Sequence, residues 1–473
     1  MMVAEVAMMQ PLLEELARLA AGSGSRVYLV GGYLRDRLLG REPVDVDLLV
    51  EGDPAPFLAS LARRARFDPV VFSRKTPVTY RTAVDEWLVD VSSFPRGRLG
   101  EELARRDFTI NALAAPLDSP EGPIIDPTGG LPDLLARTIR HVSPESLDED
   151  PVRLLRAVRL AVTLDGFVLH AELRAAMGRR AAAIAGAAAE RVLAEMELIL
   201  AAPRAGAGAR ILHDAGLLTR LLPELAPLEG LAQNRWHRWD ALEHTLRAVE
   251  EADALQAGPP PAGFTGPPGL EDAEMVKWAA LLHDTGKAAT RTTDASGQTH
   301  FHGHETVSAE LARRALARLR MPSRKAGRIE LLVASHLRLS LLSAEPQASE
   351  RGLRRLLHLV KSDTPLLCLL ALADRRAAGG EASDLASARL EPWVERAMEM
   401  LQAEGERLIA PAPLLSGHDV MAVLGIGAGP RVGAVLRWLT RRQVDGRLKT
   451  REEAMEVLHG LPASTLLTLD EDL

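Results

Sequence analysis

The chain has 473 residues, enough for roughly three domains, with 47% hydrophobic and 26% charged residues, the make-up of a globular protein. Aromatic residues are only 4%, so Leu, Ala and Val must build the core, which favours helices over packed strands, and a net charge of −7 weighs mildly against nucleic acid as a partner. One cysteine, Cys368 in an apolar run, excludes an internal disulfide and fits a reducing cytoplasm; an acidic start with no basic and then apolar segment argues against a signal peptide or membrane span.

In chain order, residues 1–145 read as α/β. An amphipathic opening helix leads to a strand at 26–30, then Gly31 and Gly32, a helix through Leu39 and a strand at 44–50. Further strands fit 70–72, 79–84 and 87–92, with Asp85 and Glu86 as the hairpin turn between the last two. Beyond residue 146 the pattern is almost entirely helical, including the Ala-rich stretch 181–189. GPPPAGFTGPPG at 258–269 can be neither helix nor central strand, and Pro411 and Pro413 mark a last boundary. This predicts four parts: an α/β head with a mixed sheet at 1–145, a helical neck at 146–235, a helical domain at 236–405 and a helical tail at 406–473. Charge is uneven across them. From Arg431 to Arg451 seven Arg or Lys face one acid, and from Pro151 to Arg191 seven Arg face three; each is a candidate phosphate-facing stripe or an ordinary solvated helix face.

The first chemical constellation lies in the head. Gly31 and Gly32, between strand and helix, allow backbone N–H groups close to an anion, and Arg35 is placed to add a charge. Asp45 and Asp47, two apart on a strand, project from one face, with Val44, Val46 and Leu48 on the other to pack against helices. Paired carboxylates are costly unless a cation such as Mg²⁺ lies between them. Asp90 alternates against Trp87, Val89 and Val91 on a later strand and is the candidate third carboxylate of a two-metal phosphoryl-transfer site. Further on, Ser146 to Glu149 has the spacing of a capping box, and Asp150 before Pro151 can equally cap a helix. Asp150 and Arg153 together also offer an acceptor and a donor that match the donor–acceptor edges of cytosine and adenine and clash with guanine and uracil.

LVGGYLRD from Leu29, the Asp45/Asp47 pair, RRDFTINA from Arg105 to Ala112 and EDPVRLLR from Glu149 to Arg156 occur in this order. Together they resemble the class II tRNA nucleotidyltransferase and bacterial poly(A) polymerase family over the first two hundred residues or so. The resemblance implies Mg²⁺-dependent, template-independent addition of nucleotides to tRNA 3′ ends. Asp45, Asp47 and Asp90 would be catalytic, and Arg105, Arg106, Asp107 and Asn111 would handle ribose and triphosphate. Asp150 and Arg153 would serve base recognition, Arg156 of the same motif would bind the nucleotide, and CTP and ATP are the implied nucleotides.

A second constellation lies in the helical half: His244, the His283-Asp284 pair followed by Gly286 and Lys287, and Asp374. It resembles the HD phosphohydrolase domain and implies a divalent metal, Mn, Ni, Fe or Zn, with His302, His304 and His336 as candidates for a second ion. His213, His237, His300, His358 and His418 have weaker claims. Such a domain would act on phosphoesters at RNA ends or serve as scaffold. The tail, PLLSG at 413–417 and GPRVG at 429–433, also resembles the family and would support the tRNA acceptor arm.

One departure bears on the product. The family carries a long, flexible connection between the third carboxylate and the Arg-Arg-Asp motif; here residues 92–104 are short, with Arg96, Gly97 and Arg98 at their centre. Members adding only two cytidines show such shortening, so CC addition is expected, with full CCA addition, A addition or poly(A) synthesis as alternatives. A reading of another class makes the histidine domain the main enzyme and the head an RNA-binding module.

Overall fold

The computed structural model describes residues 2–73, 78–233, 238–345 and 349–461, so His237 lies outside the described residues. The chain divides into two compact units: Met1–Ala187 with Asp214–Arg220, and Ala188–His213 with Leu221–Leu473.

The first unit opens with α1 (Met2–Ser23), β1 (Val27–Val30), α2 (Gly32–Leu38), β2 (Asp45–Glu51) and α3 (Ala55–Ala62). It continues with β3 (Val70–Ser73), β4 (Thr79–Val84), β5 (Trp87–Phe94), α4 (Leu99–Ala104), β6 (Ala114–Pro116) and α5 (Gly130–Leu135). The sheet runs β3-β4-β5-β2-β1-β6 and is mixed: β2 and β5 are parallel, and every other pair is antiparallel. Alternation along β2 explains its two faces. Val46, Leu48 and Val50 join Leu13 and Leu16 of α1 and Phe57 and Leu61 of α3 in one core. On the other face, Asp45 and Asp47 give way to Leu49, which packs with Phe94 and Leu103 under α4. One sheet face is thus polar at one end and apolar at the other. Asp85, at φ 52°, turns the β4–β5 hairpin as expected, and asparagine or aspartate tolerates that left-handed conformation better than most residues.

Beyond α5 come β7 (Thr138–Ile139), α6 (Pro144–Glu149), α7 (Val152–Thr163), β8 (Val168–Leu169) and α8 (Ala171–Arg180). The second unit is built from α9 (Ala189–Ala201) and α10 (Ala205–Asp214), then, after α11 (Leu218–Leu221), which falls to the first unit except for Leu221, from α12 (Ala241–Ala257), α13 (Leu270–Leu282) and α14 (Lys287–Thr290). A short hairpin of β9 (Thr292–Thr293) and β10 (Thr299–His300) precedes α15 (His304–Arg318), α16 (Ser323–Ala344), α17 (Glu350–Val360), α18 (Thr364–Ala377) and α19 (Glu381–Ile409). A separate apolar cluster, including Leu415, Val420, Val435 and Leu458, holds α20 (Gly417–Leu424), α21 (Pro430–Val444) and α22 (Arg451–His459). The stretch Glu350–Ala377 is long and apolar enough to cross a membrane, but 72% of its most apolar window is buried inside the protein, as a core segment would be. Cys368 lies within it, buried and free.

Four details depart from the sequence reading. Val44 precedes β2 and is 81% exposed, so only Val46 and Leu48 pack against helices. The stretch Ala181–Gly186 is 3-10 helix, and α9 starts afresh at Ala189, because Ala187 and Ala188 take extended dihedrals. The cap of α6 is Ser143, three residues ahead of the expected Ser146, with Pro144 at the first helical position. Strand is also present past residue 146, where β8 pairs with β7 and β9 with β10.

Candidate active site

A cavity of about 520 Å³ opens over the polar end of the sheet in the first unit. Register places its carboxylates: Asp47 is the direct partner of Asp90 across the parallel β2–β5 pair, and Asp45 lies two residues back on the same face. Desolvation at the cavity floor, reinforced by Asp45 and Asp90 and opposed by Arg106, pushes the Asp47 carboxyl up to about 6. Asp45 is raised for the same reasons, desolvation first and the Asp90 charge second. Gly31, at φ 74°, follows the β1 residue paired with Asp47. A Cβ there would sit 2.5 Å from Asp47 Oδ2 and 2.9 Å from Arg106 Nη1, so only glycine fits.

The rim is cationic. Gly32, Arg35, Arg106, Asn111, Arg153, Arg156 and Arg159 line the cavity with Asp107. Arg35 is held by Asp36, at 2.9 and 2.7 Å, and by Asn111 Oδ1 at 2.9 Å. Burial would raise Asp107, but Arg156 at 3.2 Å and an Asn111 hydrogen bond hold it below its ordinary value. Arg153, Arg156 and Arg159 therefore face the cavity from α7 instead of presenting a purely solvated face. Arg153 donates to the carbonyls of Ser146 at 2.7 Å and Arg105 at 3.1 Å. Asp150 adopts extended dihedrals ahead of α7 and accepts from Val152 N at 3.3 Å, which is the helix-start geometry. Neither Asp150 nor the exposed Arg105 is among the lining residues.

Sequence reasoning missed Phe72, Thr79, Arg81 and Ser92, which also line the cavity. Arg81 was within reach: a two-residue turn at Asp85 and Glu86 puts it opposite Asp90, and it binds both Asp90 oxygens at 2.7 Å.

In the second unit, five helices converge on a buried cluster: His244 from α12, the His283-Asp284 corner after α13, His304 from α15, His336 from α16 and Asp374 from α18. His244 Nε2 lies 3.0 Å from Asp374 Oδ1 and 3.4 Å from Asp284 Oδ2; His283 Nε2 lies 3.2 Å from Asp284. His304 Nε2 lies 3.2 Å, and His336 Nε2 4.0 Å, from Asp284 Oδ1. Three rings are oriented alike: Nδ1 of His283, His304 and His336 meets the carbonyl of Ala280, Phe301 and Val333 respectively, each at 2.7 Å, which turns Nε2 inward as the atom facing the cluster. Nε2 of His336 has no hydrogen-bond partner among the described residues. Burial lowers His244 and holds His336 at about 3, whereas at His283 Asp284 and Asp374 override burial and push the ring up to about 10. Such a set suits a borderline divalent cation. Lys287 Nζ adds a contact at 2.6 Å to Asp284. His302 is exposed and stacks on His300, 5.3 Å between centroids, outside this cluster.

Three family models match the chain: a poly A polymerase head domain over residues 27–140, a probable RNA and SrmB- binding site of polymerase A over 166–229, and an HD domain over 241–379. The chain is 37% identical to an A-adding tRNA nucleotidyltransferase of Deinococcus radiodurans, covering 90% of this chain and 93% of that one. It is 39% identical to a CC-adding tRNA nucleotidyltransferase of Thermus thermophilus, covering 91% and 92%. Among solved structures, a Thermotoga maritima CCA-adding enzyme complexed with tRNA matches with a TM-score of 0.61 at 20% identity, covering 97% of each chain, which shows a shared fold.

Proposed function

This chain belongs to the tRNA nucleotidyltransferase family, and from that premise we propose that it adds two cytidines, taken from CTP, to the 3′ end of tRNA and then stops. The observation that carries the chemistry is the row Asp45, Asp47 and Asp90 on adjacent parallel strands beneath an arginine rim. Asp45 and Asp47, both raised by burial and by neighbouring carboxylates, fit Mg²⁺ together with Asp90; the ion when bound supplies activation of the RNA 3′-hydroxyl and steadies the triphosphate leaving group. In this reading Gly31 and Gly32 let the chain pass close to the carboxylates. Arg35, Arg106 and Arg156 attract the triphosphate, with Arg105 adding positive charge from outside the cavity lining, while Asp107 and Asn111 orient the arginines and the ribose. Asp150 and Arg153 read the base. Arg153 carries five N–H donors, so its bonds to the Ser146 and Arg105 carbonyls leave capacity for one.

Support for the two-cytidine product is local. β5 ends at Phe94 and α4 begins at Leu99, so residues 95–98 alone connect them. Reshaping the pocket for a purine needs a mobile segment, and a four-residue link anchored at both ends provides little motion. The relatives include both CC-adding and A-adding enzymes, so product sequencing decides: tRNA ending at its discriminator base, given CTP and ATP, is expected to stop at CC. Completion to CCA by the purified protein would overturn this product and leave the family untouched.

In the second unit, His244, His283, Asp284 and Asp374, with His304 and His336, would hold a divalent metal, which when bound supplies Lewis acidity for phosphoester hydrolysis. An adjoining cavity of about 490 Å³, lined also by Lys287, Arg375 and Arg389, offers cations to such a phosphate. The four-part division at 146, 236 and 406 completes the proposal, with the basic α21 in the tail on the tRNA backbone.

A further inference from the structure

The nucleotide cavity contains one feature that the transfer chemistry leaves unused. Phe72 is the one aromatic among its described lining residues, and it is 57% exposed in surroundings that are otherwise glycine, hydroxyl, carboxylate, amide and guanidinium with one leucine. Its ring lies over the Arg81 guanidinium, 3.5 Å from carbon to centroid. Arg81 is itself fixed in its plane by two 2.7 Å bonds to Asp90. The ring, the guanidinium and the third carboxylate thus form a continuous row across β3, β4 and β5, ending beside Asp47 on β2. A planar surface held in place before binding loses little entropy when a second plane stacks on it.

We propose that Phe72, backed by Arg81, is the platform on which the 3′-terminal base of the RNA primer stacks. This rests on the tRNA nucleotidyltransferase reading. In transfer, the incoming base and the terminal base of the primer lie on either side of the reacting phosphate. The α7 wall, with Arg153, is assigned to the incoming base, which leaves the β3–β4 wall for the primer. Three strand spacings separate β2 from β3, roughly 14 Å, the distance from the carboxylates across a nucleotide or two. Single-stranded RNA ends are bound by stacking on aromatic rings and guanidinium planes, which tolerates any base; a primer terminus that changes identity with each addition requires that tolerance.

The test uses the full-length protein and tRNA minihelices whose terminal base is intact, replaced by 2-aminopurine, or abasic. In wild type, 2-aminopurine fluorescence is expected to quench on binding without Mg²⁺, and an abasic terminus to raise the half-saturating RNA concentration for CTP incorporation about tenfold, about 1.4 kcal/mol. Phe72→Ala is expected to remove the quench, raise that concentration about tenfold for the intact primer, leave the KM for CTP unchanged and make the abasic penalty vanish; Phe72→Trp is expected to restore all three. Phe72 is exposed, so unfolding is not the expected result, and an unchanged Tm verifies it. An abasic penalty equal in wild type and Phe72→Ala, or a rise in the CTP KM alone, overturns the platform while incorporation by wild type upholds the family reading. Failure of wild type to incorporate any nucleotide overturns both.

Discussion

At the scale of residues, Asp47 and Gly31 show how the candidate site opposes stability. The folded-state pKa of Asp47 lies near 6, above its ordinary 3.8, so the ionised form is the one the fold disfavours. That penalty is absent below about pH 3.8 and grows as pH rises toward 6. Asp47→Asn is therefore expected to abolish CTP incorporation and yet raise the Tm of the metal-free protein at pH 7.5 by a few degrees, since about 1 kcal/mol moves the Tm of a 150–250-residue unit by roughly 2–4 °C. A fall in Tm at pH 7.5 would mean that the carboxylate contributes bonds the fold depends on. Gly31→Ala forces a Cβ against Asp47 and Arg106, whereas at Gly32 the nearest neighbour, Arg35, is at an ordinary 3.5 Å. A misplacement of about 1 Å can cost on the order of 100-fold in rate, so Gly31→Ala is expected to lose that much incorporation while Gly32→Ala stays within a few-fold. Equal losses at the two positions would show that the Gly31 backbone does not set the position of Asp47.

At the scale of elements, the junction of α6 and α7 carries two roles in one place. Asp150 starts α7, and Arg153 reaches back to the Ser146 and Arg105 carbonyls, so the junction is locked by groups also assigned to the base. Arg153→Ala is expected to let UTP and GTP compete better with CTP, by the roughly 1–3 kcal/mol that a bidentate contact contributes to discrimination. Competition assays and thermal melts on the same variant separate the roles. Unchanged selectivity with a lowered Tm would leave Arg153 as a structural brace only. The β4–β5 hairpin is the second instructive element. Its two-residue turn fixes the partner of every β4 residue, from Val84 opposite Trp87 to Thr79 opposite Ser92, so Arg81 meets Asp90 by register alone.

At the scale of the whole molecule, the two constellations fall in different compact units. The sheet carboxylates sit on a core of α1, α3 and the strands, while the histidine cluster sits among α12, α13, α15, α16 and α18. Loss of one cluster is then expected to spare the other. His283→Ala with Asp284→Ala is expected to remove bound transition metal, measured by elemental analysis, along with any metal-dependent hydrolysis of phosphoesters. CTP incorporation should stay within about twofold. A folded double variant that no longer incorporates would show that the units are coupled.

Much of this was legible in the chain itself. Alternation of period two put Asp45 and Asp47 on one face and Val46 and Leu48 on the other, because a strand has no other way to place them. The glycine pair, the hairpin turn and the proline-rich breaks marked where elements end, since those residues restrict φ and ψ locally. The β4–β5 hairpin pairing was legible from its turn, and Asp90 was expected on a strand neighbouring that of Asp45 and Asp47, but direction and register between those strands were not. That β2 lies parallel to β5, bringing Asp47 beside Asp90, depends on which strands meet, and strand order is a property of the packed sheet. Phe72 lay in the strand expected at 70–72, yet its place beside Asp90 arises only through Arg81 on the intervening strand. For the histidines, sequence spacing named a set, and packing chose its members: His304 and His336 turn inward because the carbonyls of Phe301 and Val333 fix their rings, whereas His302, one helix start away, remains in solvent.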